Sequence, residues 1–209
     1  MYGEVTTGDA GRRPMTREEV RLFLDHADEQ AAKALRQGHK GALARDRDAA
    51  LFKAIYGWGL RGSEVSALDV TDFRSHPDAP GLGRFGSLYV RAGRRIGGLP
   101  PQQRTVVSVV PWAVRALRDY LAEVRPRYGS SLQPALWPTE RAGRVRRREI
   151  ENRFATYRDA LGLDRRLTPH SLRSAYVAHL LTDGADLSFV QQQVGHRFPV
   201  TTAICAGLS

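Results

Sequence analysis

The sequence predicts a mainly α domain carrying one small antiparallel sheet. Three observations predict it. Apolar residues recur at helical spacing through most of the chain, and Thr, Asp, Pro and Gly stand where helices start and stop. Two short segments near the middle, SLYVRA and RTVVSVV, are rich in β-branched and aromatic residues, as strands are. Hydrophobic residues make up 42% of the 209 residues, enough to fill one sizeable core.

Each element can be justified in order. Residues 1–13 are polar and Gly-rich and read as a loose, flexible leader. MTREEVRLFLDHADEQAAKALRQG opens with a capping box, Thr16 followed by Glu19, and Val20, Phe23, Leu24 and Ala27 form its apolar stripe. ARDRDAALFKAIYGWGLRGSEVSALDV begins as a mostly buried helix, with Ala50, Leu51, Ala54 and Ile55 at helical spacing. Gly57, Gly59 and Gly62 break it, and a short helix from Ser63 to Leu68 follows. Residues 74–86 read as a turn-rich loop. The two strands come next, separated by GRRIGGLPPQQ, which is too long for a tight hairpin. PWAVRALRDYLAEVRPRYG starts with a proline suited to a first helical turn and should end near Pro126. RAGRVRRREIENRFATYRDALGL passes from an arginine run into an amphipathic helix. In LTPHSLRSAYVAHLLTDGADLSFVQQQVGH, Thr168 caps, Pro169 fits the first turn and Gly184 closes one helix, while Asp186 starts another that runs to Gly195.

Composition narrows the function classes. One cysteine allows no internal disulfide, and no apolar run approaches the roughly 20 residues that cross a bilayer. The N-terminus lacks the pattern of a signal peptide. These features describe a soluble, cytoplasmic protein. The net charge is +10, and all but three of the 32 basic residues are arginines. Arginine forks match phosphate oxygens, so a polyanion partner is one reading; a GC-rich genome that favours arginine codons is the other. Placement has to decide between them.

The placement is informative at the helix starts. His170 and Arg173 are three residues apart and project from one face of a helix N-terminus, where backbone N–H groups favour an anion. Arg61 sits at a Gly-flanked break, and His196 follows Gly195 at a helix end. Two arginines and two histidines at such termini suit a phosphate, the arginines clamping non-bridging oxygens and the histidines bonding them or moving protons. Taken singly, each has an ordinary structural alternative. No histidine pair has metal-ligand spacing, so no metal is expected.

Read together, these segments resemble the catalytic domain of tyrosine recombinases, the phage-integrase family. GLRGSEVSALDVTDF is similar to the family's first arginine box, and TPHSLRSAYVAHLLTDGADLSFVQQQVGH to its HxxR box and the helix leading to a second histidine. The stretch PPQQRTVVSVVPWAV most resembles integrases of actinobacterial mobile elements. The likeness runs from about Arg13 to the end. It implies a DNA breaking-rejoining fold over 14–209, a double-stranded DNA partner, and a metal- and cofactor-free reaction. In that reaction a tyrosine attacks a phosphodiester, forming a 3′-phosphotyrosyl link and releasing a 5′-hydroxyl. It further implies Arg61 and Arg173 as clamping arginines, His170 and His196 as the histidines, and Glu64 as an acid that braces an arginine. Arginines 91, 95, 104, 144, 146 and 147 (Arg91, Arg95, Arg104, Arg144, Arg146, Arg147) would hold the DNA backbone.

The chain departs from the family pattern in three ways. The nucleophile commonly lies nine residues beyond the second histidine; here TTAIC puts Cys205 there. A cysteine sulfur reaches roughly 3 Å from its Cα and a phenol oxygen roughly 6.5 Å, and a misplacement of about 1 Å can cost about a hundredfold in rate. The family's lysine on the loop between the strands is also missing, and Arg94 stands nearest its place. Arginine keeps the charge but donates protons poorly. Lastly, the family's N-terminal core-binding domain and C-terminal segment have no counterpart in these residues. The expectation is a DNA-binding, integrase-like protein of DNA integration and site-specific recombination, impaired in catalysis and acting as a homo-oligomer or beside a full-length recombinase. The alternatives are an active strand-transfer enzyme and a protein-interaction module without DNA.

Overall fold

The computed structural model describes residues 13–39, 41–91, 103–129 and 134–195. Seven α-helices and three short strands make up these residues: α1 (Arg17–Arg36), α2 (Ala42–Gly57), α3 (Gly62–Ala67), β1 (Phe73–Arg74), β2 (Ser87–Val90), β3 (Arg104–Val107), α4 (Pro111–Asp119), α5 (Arg147–Ala160), α6 (Pro169–Thr182) and α7 (Leu187–Val194). The fold is mostly helical with one small antiparallel sheet, as the sequence predicts.

α1 opens on the predicted box. The Thr16 hydroxyl accepts from the Glu19 N–H at 3.1 Å, and the Glu19 carboxylate accepts from the Thr16 N–H at 2.8 Å. Two donors that a helix start leaves unpaired are thereby satisfied. Arg13 forks onto the same carboxylate at 2.5 and 2.6 Å. α1 turns Val20, Phe23, Leu24 and Ala27 inward onto α2.

α2 is the central helix and packs against α1, α4 and α6. Its small residues let neighbours approach on several sides. A Cβ on Gly57 would lie 2.4 Å from the Ala113 Cβ of α4, so this glycine is where α2 and α4 touch. An aromatic cluster joins α1, α2 and α5: the Phe23 ring stacks on Phe154 with centroids 4.5 Å apart and meets Phe52 edge-on at 5.1 Å.

The strands are ordered β1-β2-β3, all antiparallel, with Phe73 opposite Leu88 and Val90 opposite Arg104. β1 is an addition to the sequence reading. It is two residues long, too short for alternation to reveal, and it ends on the first residue of the expected loop. That loop also holds a 3₁₀ turn, Pro80–Phe85.

Three further boundaries differ from expectation. α3 is Gly62–Ala67 rather than Ser63–Leu68. α4 stops at Asp119 and continues as a π turn, Tyr120–Val124, and a 3₁₀ turn, Arg125–Tyr128. Pro126 has no N–H to continue the regular ladder, so the hydrogen-bonding pattern changes before it. The arginine run does lead into α5, as expected, but only its last residues belong to the helix, which starts at Arg147. Residues 138–144 form a reversal held by Thr139 N–H to Gly143 O at 2.8 Å, with Ala142 at φ 54°.

α6 is buried on most faces from Pro169 to Val177. At its start the Thr168 N–H donates to the Ser171 hydroxyl at 3.2 Å. Asp186 caps α7 by accepting from Ser188 N–H at 2.8 Å and Phe189 N–H at 3.1 Å. Gly195 ends it in the left-handed region at φ 63°. Among the described residues no helix is long and apolar enough to cross a membrane.

Candidate active site

The break between α2 and α3 sets the site. Gly59 has φ 56°, and a Cβ there would sit 2.5 Å from the Tyr176 ring. Only glycine fits so tight a turn against α6. The chain then passes through buried Leu60 and delivers Arg61 as the N-cap of α3, in extended conformation. One turn on, Glu64 reaches back. Its carboxylate accepts from the Arg61 N–H at 2.8 Å and from Arg61 Nη1 at 2.7 Å.

Glu64 serves more than Arg61. Arg104, the first residue of β3, donates Nη1 and Nη2 to its two oxygens at 2.8 and 3.0 Å. Arg173, on α6, brings Nη1 within 3.5 Å of the same carboxylate. Three guanidinium groups from three elements thus surround one acid whose side chain is wholly buried. Burial alone would push the Glu64 carboxyl up. The Arg104 hydrogen bonds and the charges of Arg104, Arg173 and Arg61 outweigh it and bring the group down to about 2.

The three arginines are not equivalent. Arg173 is buried and donates Nη1 to Gly59 O and Nη2 to Val194 O, both at 2.5 Å. It therefore ties the α2–α3 break to the end of α7. Arg104 adds an Nε donation to Gln193 O at 2.7 Å and lies against Gly195, where a Cβ would meet its Cδ at 3.0 Å. Arg61 keeps a quarter of its side chain exposed and is the member that faces outward. His170 lies half-buried on the first turn of α6, one turn before Arg173. Arg61, His170 and Arg173 therefore sit on adjoining elements. Arg94, Arg95, His196 and Cys205 lie outside the described residues.

The other expected DNA contacts are spread over the neighbouring surface. Arg91 bonds Asp69 at 2.6 Å and Asp72 at 2.8 Å. Arg144 bonds Asp69 at 2.5 Å and the carbonyls of Ser66 and Leu68. Both thereby help hold the 138–144 reversal and the sheet onto α3. Arg146 and Arg147 are exposed at the start of α5, and Arg147 pairs with Glu151 at 2.7 Å. Behind them opens a cleft of about 990 Å³ whose lining includes Arg47, Arg141, Arg148 and Arg153. Tyr176 offers no substitute nucleophile: it is buried, and burial pushes its phenol far up.

Residues 101–206 match the model of the phage integrase family. The chain belongs to that family. This integrase-family chain is 33% identical over 158 residues to tyrosine recombinase XerD of Corynebacterium glutamicum, covering 76% of the chain and 47% of that protein. It is 34% identical over 155 residues to tyrosine recombinase XerC of Pelotomaculum thermopropionicum, covering 72% and 46%. It spans about half the length of the curated relatives it matches. Among solved structures, XerA recombinase superposes with a TM-score of 0.71 at 22% identity, over 94% of this chain and 60% of that one. XerH site-specific recombinase bound to its palindromic difH substrate does so with a TM-score of 0.71 at 21% identity, over 98% and 52%. At such identities the likeness is one of fold.

Sequence reasoning did not anticipate which face of its strand Arg104 takes. Arg104, expected on the DNA backbone, turns inward, with its side chain 7% exposed. The signal was present: Val106 is core, and residues two apart on a strand share a face.

Proposed function

We propose that the chain is a DNA-binding tyrosine-recombinase domain of site-specific recombination and integration. The arginine cluster around Glu64 holds a DNA phosphodiester, and Cys205 in the nucleophile's place leaves strand cleavage impaired. The observation that carries this reading is the convergence of Arg61, Arg104 and Arg173 on the single carboxylate of Glu64. Three guanidinium charges against one carboxylate leave a local surplus of positive charge in a partly enclosed site, which attracts an anion with several oxygens. Arg61 is placed to meet that anion directly. Arg173, with both Nη atoms on carbonyls, contributes its charge and holds the frame.

The family reaction needs a nucleophile aligned with the departing 5′-oxygen and a proton donor for that oxygen. Cys205 shortens the nucleophilic arm by roughly 3 Å, and no lysine follows Lys53 in the chain. DNA affinity, which needs charge, withstands both changes better than cleavage, which needs alignment and a proton. The neighbour in fold bound to difH supports a DNA partner; a second copy or a full-length recombinase beside this chain on the DNA belongs to the same proposal.

A suicide duplex, nicked so that the cleaved fragment diffuses away, tests the reading. The chain as it stands should retain the duplex but give no covalent adduct on a denaturing gel. Cys205→Tyr should give one, linked through a 3′-phosphotyrosine. An adduct at Cys205 in the unmodified chain would overturn the impairment. Failure to bind the duplex would overturn the DNA reading in favour of a protein partner.

A further inference from the structure

We infer that Arg104 is a positioning residue: by occupying both oxygens of Glu64 from the β3 side, it keeps Arg61 turned outward, toward the phosphate. This rests on the phosphate-binding reading above. The geometry supplies the reason. Glu64 has two oxygens in a buried site, and Arg104 meets them as a fork at 2.8 and 3.0 Å. Arg61 is left one side-chain donor on the carboxylate, Nη1 at 2.7 Å, while its N–H takes the other oxygen.

Removing the Arg104 fork would expose carboxylate lone pairs in a buried place, and unmet acceptors there are costly. Arg173 is held at Gly59 O and Val194 O and has little freedom to turn. Arg61, a quarter exposed, has that freedom. It would swing in to grip Glu64 with a second nitrogen and so withdraw from the phosphate. Arg104 also reads the end of α7 through Gln193 O and packs on Gly195, so the α7 terminus is registered against the same acid.

The test uses the 209-residue chain and a short duplex, with affinity measured across a salt series. Arg61→Gln should weaken binding and lower the log–log salt slope by about 1, as loss of one phosphate contact does. Arg104→Gln should do the same although it touches no phosphate, and the double variant should be no worse than Arg61→Gln alone. A double variant whose slope falls by about 2 would mean that Arg104 contacts DNA itself. An Arg104→Gln variant that melts earlier yet binds unchanged would reduce the residue to a structural role. Either result overturns the inference.

Arg104→Lys guards against loss of folding, since it keeps a cation but covers one oxygen only. Without any DNA, the ¹⁵Nε–H resonance of Arg61 should move in this variant as the guanidinium turns; an unmoved resonance is fatal to the inference. If the unmodified chain fails to bind the duplex, the phosphate reading falls by itself, and the Arg61 resonance still decides whether Arg104 sets its orientation.

Discussion

Glu64 is a carboxylate buried to the last atom and kept ionised by the arginines it holds together. Its pKa is brought down to about 2, against an ordinary value of 4.5. A depressed carboxyl stabilises the fold fully above its unfolded value and loses that contribution as pH falls through the folded one. The difference corresponds to about 3 kcal/mol, present above roughly pH 5 and gone near pH 2. Urea unfolding of the wild type against Glu64→Gln should show it: the gap between them is largest at neutral pH and closes through this window. A gap that stays constant down to pH 2 would mean that Glu64 carries no such linkage. At this scale the spacing of the sequence pointed to Arg61, His170 and Arg173, and the family resemblance added Glu64. The sequence hid the inward turn of Arg104, whose charge argued for the surface while Val106, two residues along the same strand, argued for the interior.

At the level of elements, legibility followed chemistry that acts over three or four residues. The Thr16–Glu19 box, the Asp186 cap and the Gly195 stop are local devices, and α1 and α7 stand where they predict. β1 and the π turn after α4 answer to distant partners. Two residues of β1 are a strand only because Leu88 and Ser87 lie opposite. The 138–144 reversal likewise depends on α3, through Arg144. Glycines divide along the same line. Gly38 has φ 61° with open space around it, whereas Gly59 has φ 56° and the Tyr176 ring against it. Gly38→Ala should cost about 1 kcal/mol, for backbone strain alone. Gly59→Ala adds steric overlap and should cost about 2–4 kcal/mol, lowering Tm by roughly 5–15 °C in a thermal melt. Equal costs at the two sites would mean that α6 yields to the added methyl.

Across the whole molecule, the net charge of +10 is carried largely by arginines that also hold the fold together. Asp69, Asp72 and Glu64 each anchor at least one of them. Charge counting therefore overstates what remains for a partner. Duplex affinity should fall linearly on a log–log salt plot, and engagement of about four phosphates would give a slope near −3.6. A flat response would direct attention to a protein partner. The family was legible because its arginine and HxxR boxes keep their spacing across some hundred residues. What no spacing could announce is that the arginine cluster around Glu64 is the keystone joining the α2–α3 break, the sheet and the last two helices. Loosening that one acid would therefore unseat the break, the sheet and both helices together.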